Sequence, residues 1–391
     1  MGYLEPQILL VDDSRVNLEI LKDALKRYRL MTAGSGEEAL RLAGDLHPDL
    51  ILLDVVMPGI DGYETCRRLK QTPTTASIPV VFLTAQTEAE YIIKGFEAGA
   101  ADYIPKPFNI PELLARVKNQ LTLKMARDQN GRLMQRIEAM NNQLTASLRY
   151  ARKIQKASLP RDHYLQTLLP EHFVFLQPKD MVSGDFYWVG EVGDRVVVIA
   201  ADSTGHGVPG AFMSMFGMAL LNQIVGRQQV HCPAVILDRL RQQVIASFQQ
   251  TEISEIKDGM DISVVSIHPP SCTLEFAGAF NPLYLVSKGE LQVVPADAMP
   301  ISIGEVDRPY KNHSLSYRPG DCLYLGSDGY ASQFGGPFDK KIKTSGLKKL
   351  MVEYAPLSME AQKQAFSQYF EDWKGRAEQI DDVLLLGIRL K

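Results

Sequence analysis

The sequence predicts three parts in series: a doubly wound α/β domain on a five-stranded parallel sheet, a long coiled-coil linker helix, and an α+β region built as a β-sandwich flanked by helices. Three observations predict it. Near-continuous Ile, Leu and Val runs alternate with helical patterns through the first part of the chain, as strands buried on both faces of a parallel sheet require. A seven-residue apolar repeat follows. After Pro160 many short strands come in series with only a few helices between them. The expected boundaries are 1–122, 123–160 and 161–391.

In the first part, "QILLVDD" reads as a strand and "RVNLEILKDALKRY" as an amphipathic helix. "DLILLDVVMP" is a strand followed by the helix "GYETCRRLKQ", and "IPVVFLTA" and "ADYIPKP" are two more strands with a helix between them. In such sheets a site forms beyond the carboxyl ends of the strands. From about Leu123, apolar or small residues at Leu133, Ile137, Met140, Leu144, Ser147, Ala151 and Ile154 are spaced alternately by four and three. That is the seam of a coiled coil; the competing reading is a surface helix lying along its own domains. Asn130 falls on the seam and can set register, while Gly131 weakens the helix there. In the third part "DFYWVG", "RVVVIAAD", "DISVVSIHP", "TLEFAGA", "PLYLVS", "DCLYLGSDG" and "DVLLLGIRL" read as strands. "AVILDRLRQQVIASFQ" and "SMEAQKQAFSQYFEDW" read as helices.

The 391 residues are 45% apolar and 23% charged with a net charge of −4, which argues against a nucleic-acid surface made of bulk positive charge. Cys66, Cys232, Cys272 and Cys322 lie far apart without a C-x-x-C pair, as expected of reduced thiols. The longest apolar runs, such as "LILLDVVM", are too short to span a bilayer. "MGYLEP" lacks a signal peptide's regions and has Pro6 where a myristoylation signal carries Ser or Thr. The expectation is a cytoplasmic chain with neither nucleic-acid nor membrane partners.

Asp12 and Asp13 end the first strand and Asp54 ends the third. Three carboxylates ~4–6 Å apart repel by a few kcal/mol per pair at an effective dielectric near 20. A hard divalent cation such as Mg²⁺ removes that cost. Thr84 ends the fourth strand and Lys106 follows the fifth; a hydroxyl and an ammonium beside an acid–Mg²⁺ site stabilise a phosphoryl group in transfer. This set, over residues 5–122, resembles the receiver domain of bacterial response regulators. The resemblance implies Asp54 as phosphoacceptor, Asp12 and Asp13 as the acid pair, and the Val56 carbonyl as a further Mg²⁺ ligand. It also implies Thr84 and Tyr103 as the switch pair, Lys106 as the phosphate-pairing cation, a cis bond before Pro107, and a histidine kinase as partner.

Acids recur at strand ends in the third part: Asp185 in "SGDFYW", Asp202 in "DSTGHG", Asp328 in "SDGY", and Asp381 with Asp382 in "DDVLLL". Several carboxylates without a His/Cys cluster point to Mg²⁺ or Mn²⁺ rather than zinc. Two such metals lower the pKa of a shared water and clamp a phosphate for in-line attack. The loop after Asp202 carries little bulk, so the Ser203 carbonyl can add an oxygen ligand. His206 has no second His or Cys at ligand spacing nearby. It reads as a catalytic acid, a group behind the metal ligands, or loop packing. Met213, Met215 and Met218 read as core.

"SGDFYW", "DSTGHGVPGA", "SDGY" and "DDVLLLGI" together resemble the SpoIIE/RsbU-type branch of the metal-dependent PPM serine/threonine phosphatases, over residues 165–391. The resemblance implies two Mn²⁺ or Mg²⁺ ions, with Asp202 bridging them and Asp185 binding partly through water. Asp328 and Asp381 hold the other metal face, the Ser203 carbonyl is a direct ligand, and Asp382 lies behind the ligands. Ala279 stands near the place where larger relatives carry an acid for a third metal. Asp261 reads as an active-site edge residue or a turn stabiliser, and Lys179 as a partner for the substrate phosphate.

The expected function is a protein phosphatase controlled through Asp54, dimeric through the linker helix. The resemblance implies a phosphoserine or phosphothreonine substrate on an anti-sigma-factor antagonist of the STAS type. The rival is a phosphatase-like module without turnover that sequesters a partner when Asp54 is phosphorylated. A histidine kinase fails for lack of a Gly-rich nucleotide box and of a His-bearing dimerisation helix, since His163 lies beyond Pro160.

Overall fold

The computed structural model describes residues 5–85, 89–249, 259–302 and 308–391. The chain forms two compact units, Met1–Asn142 and Gln143–Lys391.

In the first unit the order is β1 (Gln7–Val11), α1 (Arg15–Ala24), β2 (Arg29–Ala33), α2 (Gly36–Leu46), β3 (Leu50–Asp54), α3 (Gly62–Gln71), β4 (Val80–Thr84), α4 (Ala89–Glu97), β5 (Asp102–Pro105) and α5 (Ile110–Ser158). The sheet runs β2-β1-β3-β4-β5 with every pairing parallel. Alternate strand residues feed two cores. Leu9, Val11, Ile51 and Leu53 pack with Ala39, Cys66 and Leu69 of α2 and α3. Ile8, Leu10, Leu50 and Leu52 pack on the opposite face with Leu21, Leu25, Leu113 and Val117 of α1 and α5. Side-chain caps from Ser14, Ser35 and Asp61 start α1, α2 and α3, satisfying amides that have no partner within the helix.

The linker helix begins earlier than the heptads indicate. It starts at Ile110, with Pro111 in its first turn where no amide is needed, and buries Leu113, Val117 and Leu121 in the first core. It then crosses residue 122 without a break and continues through Gly131 to Ser158. Leu133 (48% exposed), Ile137 (57%), Met140 (61%) and Leu144 (57%) form an uncovered apolar seam.

The second unit continues with α6 (Asp162–Leu168), β6 (His172–Gln177), β7 (Phe186–Val192), β8 (Arg195–Ser203), α7 (Gly207–Leu221), α8 (Pro233–Gln249), β9 (Met260–His268), β10 (Thr273–Ala279), β11 (Leu283–Ser287) and β12 (Glu290–Val294). Then come β13 (His313–Ser316), β14 (Cys322–Gly326), α9 (Gly329–Ser332), the short pair β15 (Phe334–Gly335) and β16 (Lys340–Lys341), α10 (Lys343–Tyr354), α11 (Met359–Lys374) and β17 (Val383–Arg389). Two five-stranded antiparallel sheets, β13-β10-β9-β8-β7 and β12-β11-β14-β17-β6, form the sandwich. Their inner faces meet through Val198, Ala200, Val265, Leu323, Leu325, Leu384 and Leu386. The outer face of the first sheet packs on α7 and α8, and that of the second on α10 and α11. Helices therefore cover both outer faces, which explains strands that read as unbroken apolar runs.

The stretch Gly207–Arg227 is long and apolar enough by length and composition to cross a membrane, yet half of its apolar window is buried in the unit. Met213 and Met218 of α7 are core residues, with Met215 packed against them.

Candidate active site

In the first unit the crossover between β1 and β3 brings Asp12, Asp13 and Asp54 together, with carboxylate oxygens within 4.8 Å of one another. Asp12 and Asp54 are buried and Asp13 is exposed. Lys106 reaches across from the end of β5 and places Nζ 2.8 Å from an oxygen of each buried acid. A cis peptide joins Lys106 to Pro107. The other Asp12 oxygen accepts from the Ser14 amide at 2.9 Å and from Asn17 Nδ2 at 3.1 Å. Burial raises the Asp54 pKa; Lys106 and the Val56 amide oppose the rise. Burial also works against the Lys106 charge, but the two carboxylates outweigh it and raise that pKa. Thr84 is buried at the end of β4. Tyr103 sits on β5 between Phe96, at 6.5 Å ring to ring, and the Arg116 guanidinium, at 5.2 Å. Three acids of this separation fit a hard divalent cation.

In the second unit, period-two alternation decides which side chains meet. Val198 and Ala200 of β8 face the other sheet, so Asp202 continues their row. The same parity puts Asp185 ahead of β7, Asp261 on β9, Ser327 past β14 and Asp382 ahead of β17 on the inward side. These positions lie at one end of the sandwich, where the inner faces run out of apolar residues. Asp202 and Asp261 are direct cross-strand partners, an arrangement unfavourable to two negative charges.

The electrostatic consequence is large. Burial, then the Asp202 charge, pushes the Asp185 pKa well up; the Ser327 hydroxyl, donating to Asp185 Oδ2, works the other way. Burial and the charges of Asp328 and Asp381 push Asp202 up to about 7. Burial and Asp328 push Asp261 up to about 6. Asp328 caps α9 and accepts from the Ser332 hydroxyl at 3.1 Å. Asp381 accepts from the Asp382 amide at 2.9 Å.

Asp382 is buried, its oxygens accepting at 2.7 Å from the amides of Lys179 and Gly184. It ties the "PKDMVSGD" loop to the start of β17. The loop after Asp202 folds tightly, since a Cβ on Gly210 would collide with the Gly205 carbonyl; at the start of α9 a Cβ on Gly329 would likewise collide with the Asp382 carbonyl. Ser203 is buried and its Oγ has no hydrogen-bond partner. That orphaned oxygen, together with a set of carboxylates whose pKa values are raised by burial and by neighbouring acids, fits a hard divalent metal. Among the described residues only the first-unit triad places three such ligands within 4.8 Å.

His206 is half-exposed at the start of α7. Its Nδ1 lies 2.8 Å from Asp180 Oδ2 and its Nε2 2.9 Å from Lys179 Nζ. With Nδ1 protonated toward Asp180, Nε2 accepts from the lysine, so the three form a chain above the Asp382 staple. Sequence reasoning missed Asp180, Ser183 and Ser327. Ser327 stands beside Asp328 in "GSDG", but a serine flanking an acid carries no signal until the strands are paired.

Comparison with known proteins assigns the two units. Residues 8–118 match the response regulator receiver domain family. Residues 192–391, just over half of the chain, match the family of stage II sporulation protein E (SpoIIE). The chain belongs to the SpoIIE family. The matched stretch begins beyond Asp185. The SiaA-PP2C domain of Pseudomonas aeruginosa is similar at 31% identity and a TM-score of 0.59, covering 65% of this chain and 99% of that one. Response regulator PleD of Caulobacter vibrioides is 42% identical over 128 residues, 32% of this chain and 28% of PleD. The DNA-binding dual master transcriptional regulator RpaA of a Synechocystis strain is 41% identical over 115 residues, 29% of this chain and 48% of RpaA. The chain thus spans about half or less of the curated relatives it matches. This SpoIIE-family chain carries a receiver domain ahead of a PP2C-like domain.

Proposed function

We propose that the chain is a two-component response regulator whose output is a Mn²⁺- or Mg²⁺-dependent protein serine/threonine phosphatase. The observation that carries this reading is the end-of-sandwich cluster, where burial and neighbouring acids, Asp202 for Asp185 and Asp328 with Asp381 for Asp202, raise both carboxyl pKa values. Folding energy spent on uncompensated buried acids is recovered when a cation binds.

Asp185, Asp202, Asp328, Asp381 and the Ser203 carbonyl would hold two ions, which when bound neutralise a phosphoester and acidify water. Asp382 sets the loop that carries Asp185. Lys179, held by His206 and Asp180, offers a cation to the substrate phosphate at the rim. Asp261 tunes the charge on Asp202 from the next strand.

In the receiver, a histidine kinase phosphorylates Asp54, and Asp12, Asp13, Asp54 and the Val56 carbonyl would hold Mg²⁺ there. Lys106 moves from a carboxylate to the phosphoryl group, and Thr84 and Tyr103 respond. The α5 seam pairs with a second copy as a coiled coil, its exposed Leu133, Ile137, Met140 and Leu144 becoming the buried positions. The substrate is a phosphorylated anti-sigma-factor antagonist, and the protein works in the cytoplasm without nucleic-acid or membrane partners.

The alternative is a sequestering module without turnover, which the wider spacing of the second acid cluster favours. The test is Mn²⁺-dependent phosphate release from a phosphoserine protein, with and without a phosphoryl mimic on Asp54, beside Asp202→Asn. Metal-dependent turnover lost in that variant and altered by the mimic is the expected result. A folded protein inert in every state establishes the module.

A further inference from the structure

We propose that Gln155, on the last turns of α5, is a positioning residue that clamps the Asp185 loop and makes the metal site sensitive to the rotation of that helix. Its side chain is buried, unlike the exposed residues around it at Lys153, Ile154 and Lys156. Nε2 donates to the Ser183 carbonyl at 2.6 Å and to Ser214 Oγ at 2.8 Å, and Oε1 accepts from the Ser183 amide at 3.1 Å. One side-chain amide thus satisfies both backbone groups of Ser183, which fixes that residue's orientation as well as its position. Ser183 Oγ in turn accepts from the Asp185 amide at 3.0 Å. Ser214 lies on α7, the helix that follows the Asp202 loop, and its hydroxyl proton is shared between Ala211 O at 2.9 Å and Ser183 O at 3.2 Å. Gln155, Ser183 and Ser214 are all at least nine-tenths buried. A single amide on the linker helix therefore ties the Asp185 loop to α7, the helix that follows the Asp202 loop.

The clamp is sharp in angle. A side-chain amide rides ~5–6 Å from its helix axis, so a ~20° rotation carries it ~2 Å, well outside hydrogen-bond range. A strict seven-residue seam differs from a straight helix by ~20° per heptad. Winding the seam that ends at Ile154 thus displaces its neighbour Gln155 by an amount the clamp detects. The inference rests on the reading of this acid cluster as the phosphatase's metal site.

The test compares the full chain with Gln155→Met, which keeps shape and loses all three hydrogen bonds, and with Ser214→Ala, which removes one. Asp202→Asn is the metal-site control. Amide hydrogen exchange of the metal-free proteins is read at Ser183 and Asp185, with Leu325 and Leu386 as internal references. Mn²⁺ affinity is read by calorimetry, and kcat and KM are read on the phosphoprotein. Expected for Gln155→Met are faster exchange at Ser183 and Asp185 alone, Mn²⁺ binding weaker by roughly ten- to a hundred-fold, and a fall in kcat at unchanged KM. Ser214→Ala shows the same pattern, smaller, and decides the matter if Gln155→Met does not fold. Native exchange and native Mn²⁺ affinity in the folded variants overturn the clamp. Absence of Asp202-dependent Mn²⁺ binding in the parent protein overturns the phosphatase reading instead, and exchange at Ser183 and Asp185 still decides the clamp.

Discussion

The two acid clusters solve one electrostatic problem in opposite ways. In the receiver, Lys106 stands 2.8 Å from both Asp12 and Asp54, so the metal-free site already carries its own counter-charge. At the end of the sandwich the acids face one another, and burial together with neighbouring negative charge raises the pKa of Asp185 and Asp202. A site with a built-in ammonium is stable empty and poised for a phosphoryl group that the ammonium can follow. A site without one is stable only when protonated or metal-filled, which ties its metal affinity to pH.

The largest expected effect is on turnover. Asp202→Asn should cut kcat by ~10²-fold or more, measured as Mn²⁺-dependent phosphate release, and yet raise the melting temperature of the metal-free protein at pH 8. A loss of stability there would mean that Asp202 is not held against its own charge, and the contrast between the clusters would collapse. Lys106→Met should do the reverse in the receiver, costing about 3 kcal/mol in metal-free urea unfolding because two buried acids lose their partner, with added Mg²⁺ restoring much of it.

The pH dependence sharpens the difference further. Asp202 is raised from 3.8 to about 7 and Asp261 to about 6. A carboxyl raised in the folded state favours folding while protonated and costs stability once it must ionise. The melting temperature of the metal-free second unit should therefore fall as pH rises from about 4 to about 7, and the Mn²⁺-induced rise should grow over the same window. Asp202→Asn should flatten both slopes in differential scanning calorimetry. The smallest effect on stability belongs to the seam. Met140→Asp with Leu144→Asp should leave both units melting as before, because these side chains are exposed, while light scattering reports monomers and turnover falls. Fully active monomers would remove the dimer from the proposed function.

Much of this was legible in the chain itself. The strands "TLEFAGA", "PLYLVS" and "DVLLLGIRL" appear where their apolar runs place them. The strands β12 and β13 were not, because they are polar edge strands whose burial is partial. The long helix was legible from its heptads only over the part whose seam is exposed. Its first turns belong to the receiver core and follow that core's pattern instead. Asp12, Asp54, Asp202 and Asp328 could be picked out because each ends a run of apolar residues with an acid. Gln155 could not: a glutamine among charged residues on a helix reads as solvated surface, and its burial depends on the serines that come to meet it.

By itself the sequence determined the periodicities, and with them the element types and the acid at each strand end. Those are local properties of a chain whose side chains alternate every two or every 3.6 residues. Tertiary structure alone decided which ends meet, that Lys106 stands 2.8 Å from both Asp12 and Asp54 while burial and neighbouring acids raise the pKa of Asp185 and Asp202, and that Asp382 and Gln155 brace the Asp185 loop. Charge compensation and amide clamping act through space over a few ångströms, between residues as far apart in the chain as Lys179 and Asp382. No local pattern encodes such pairings.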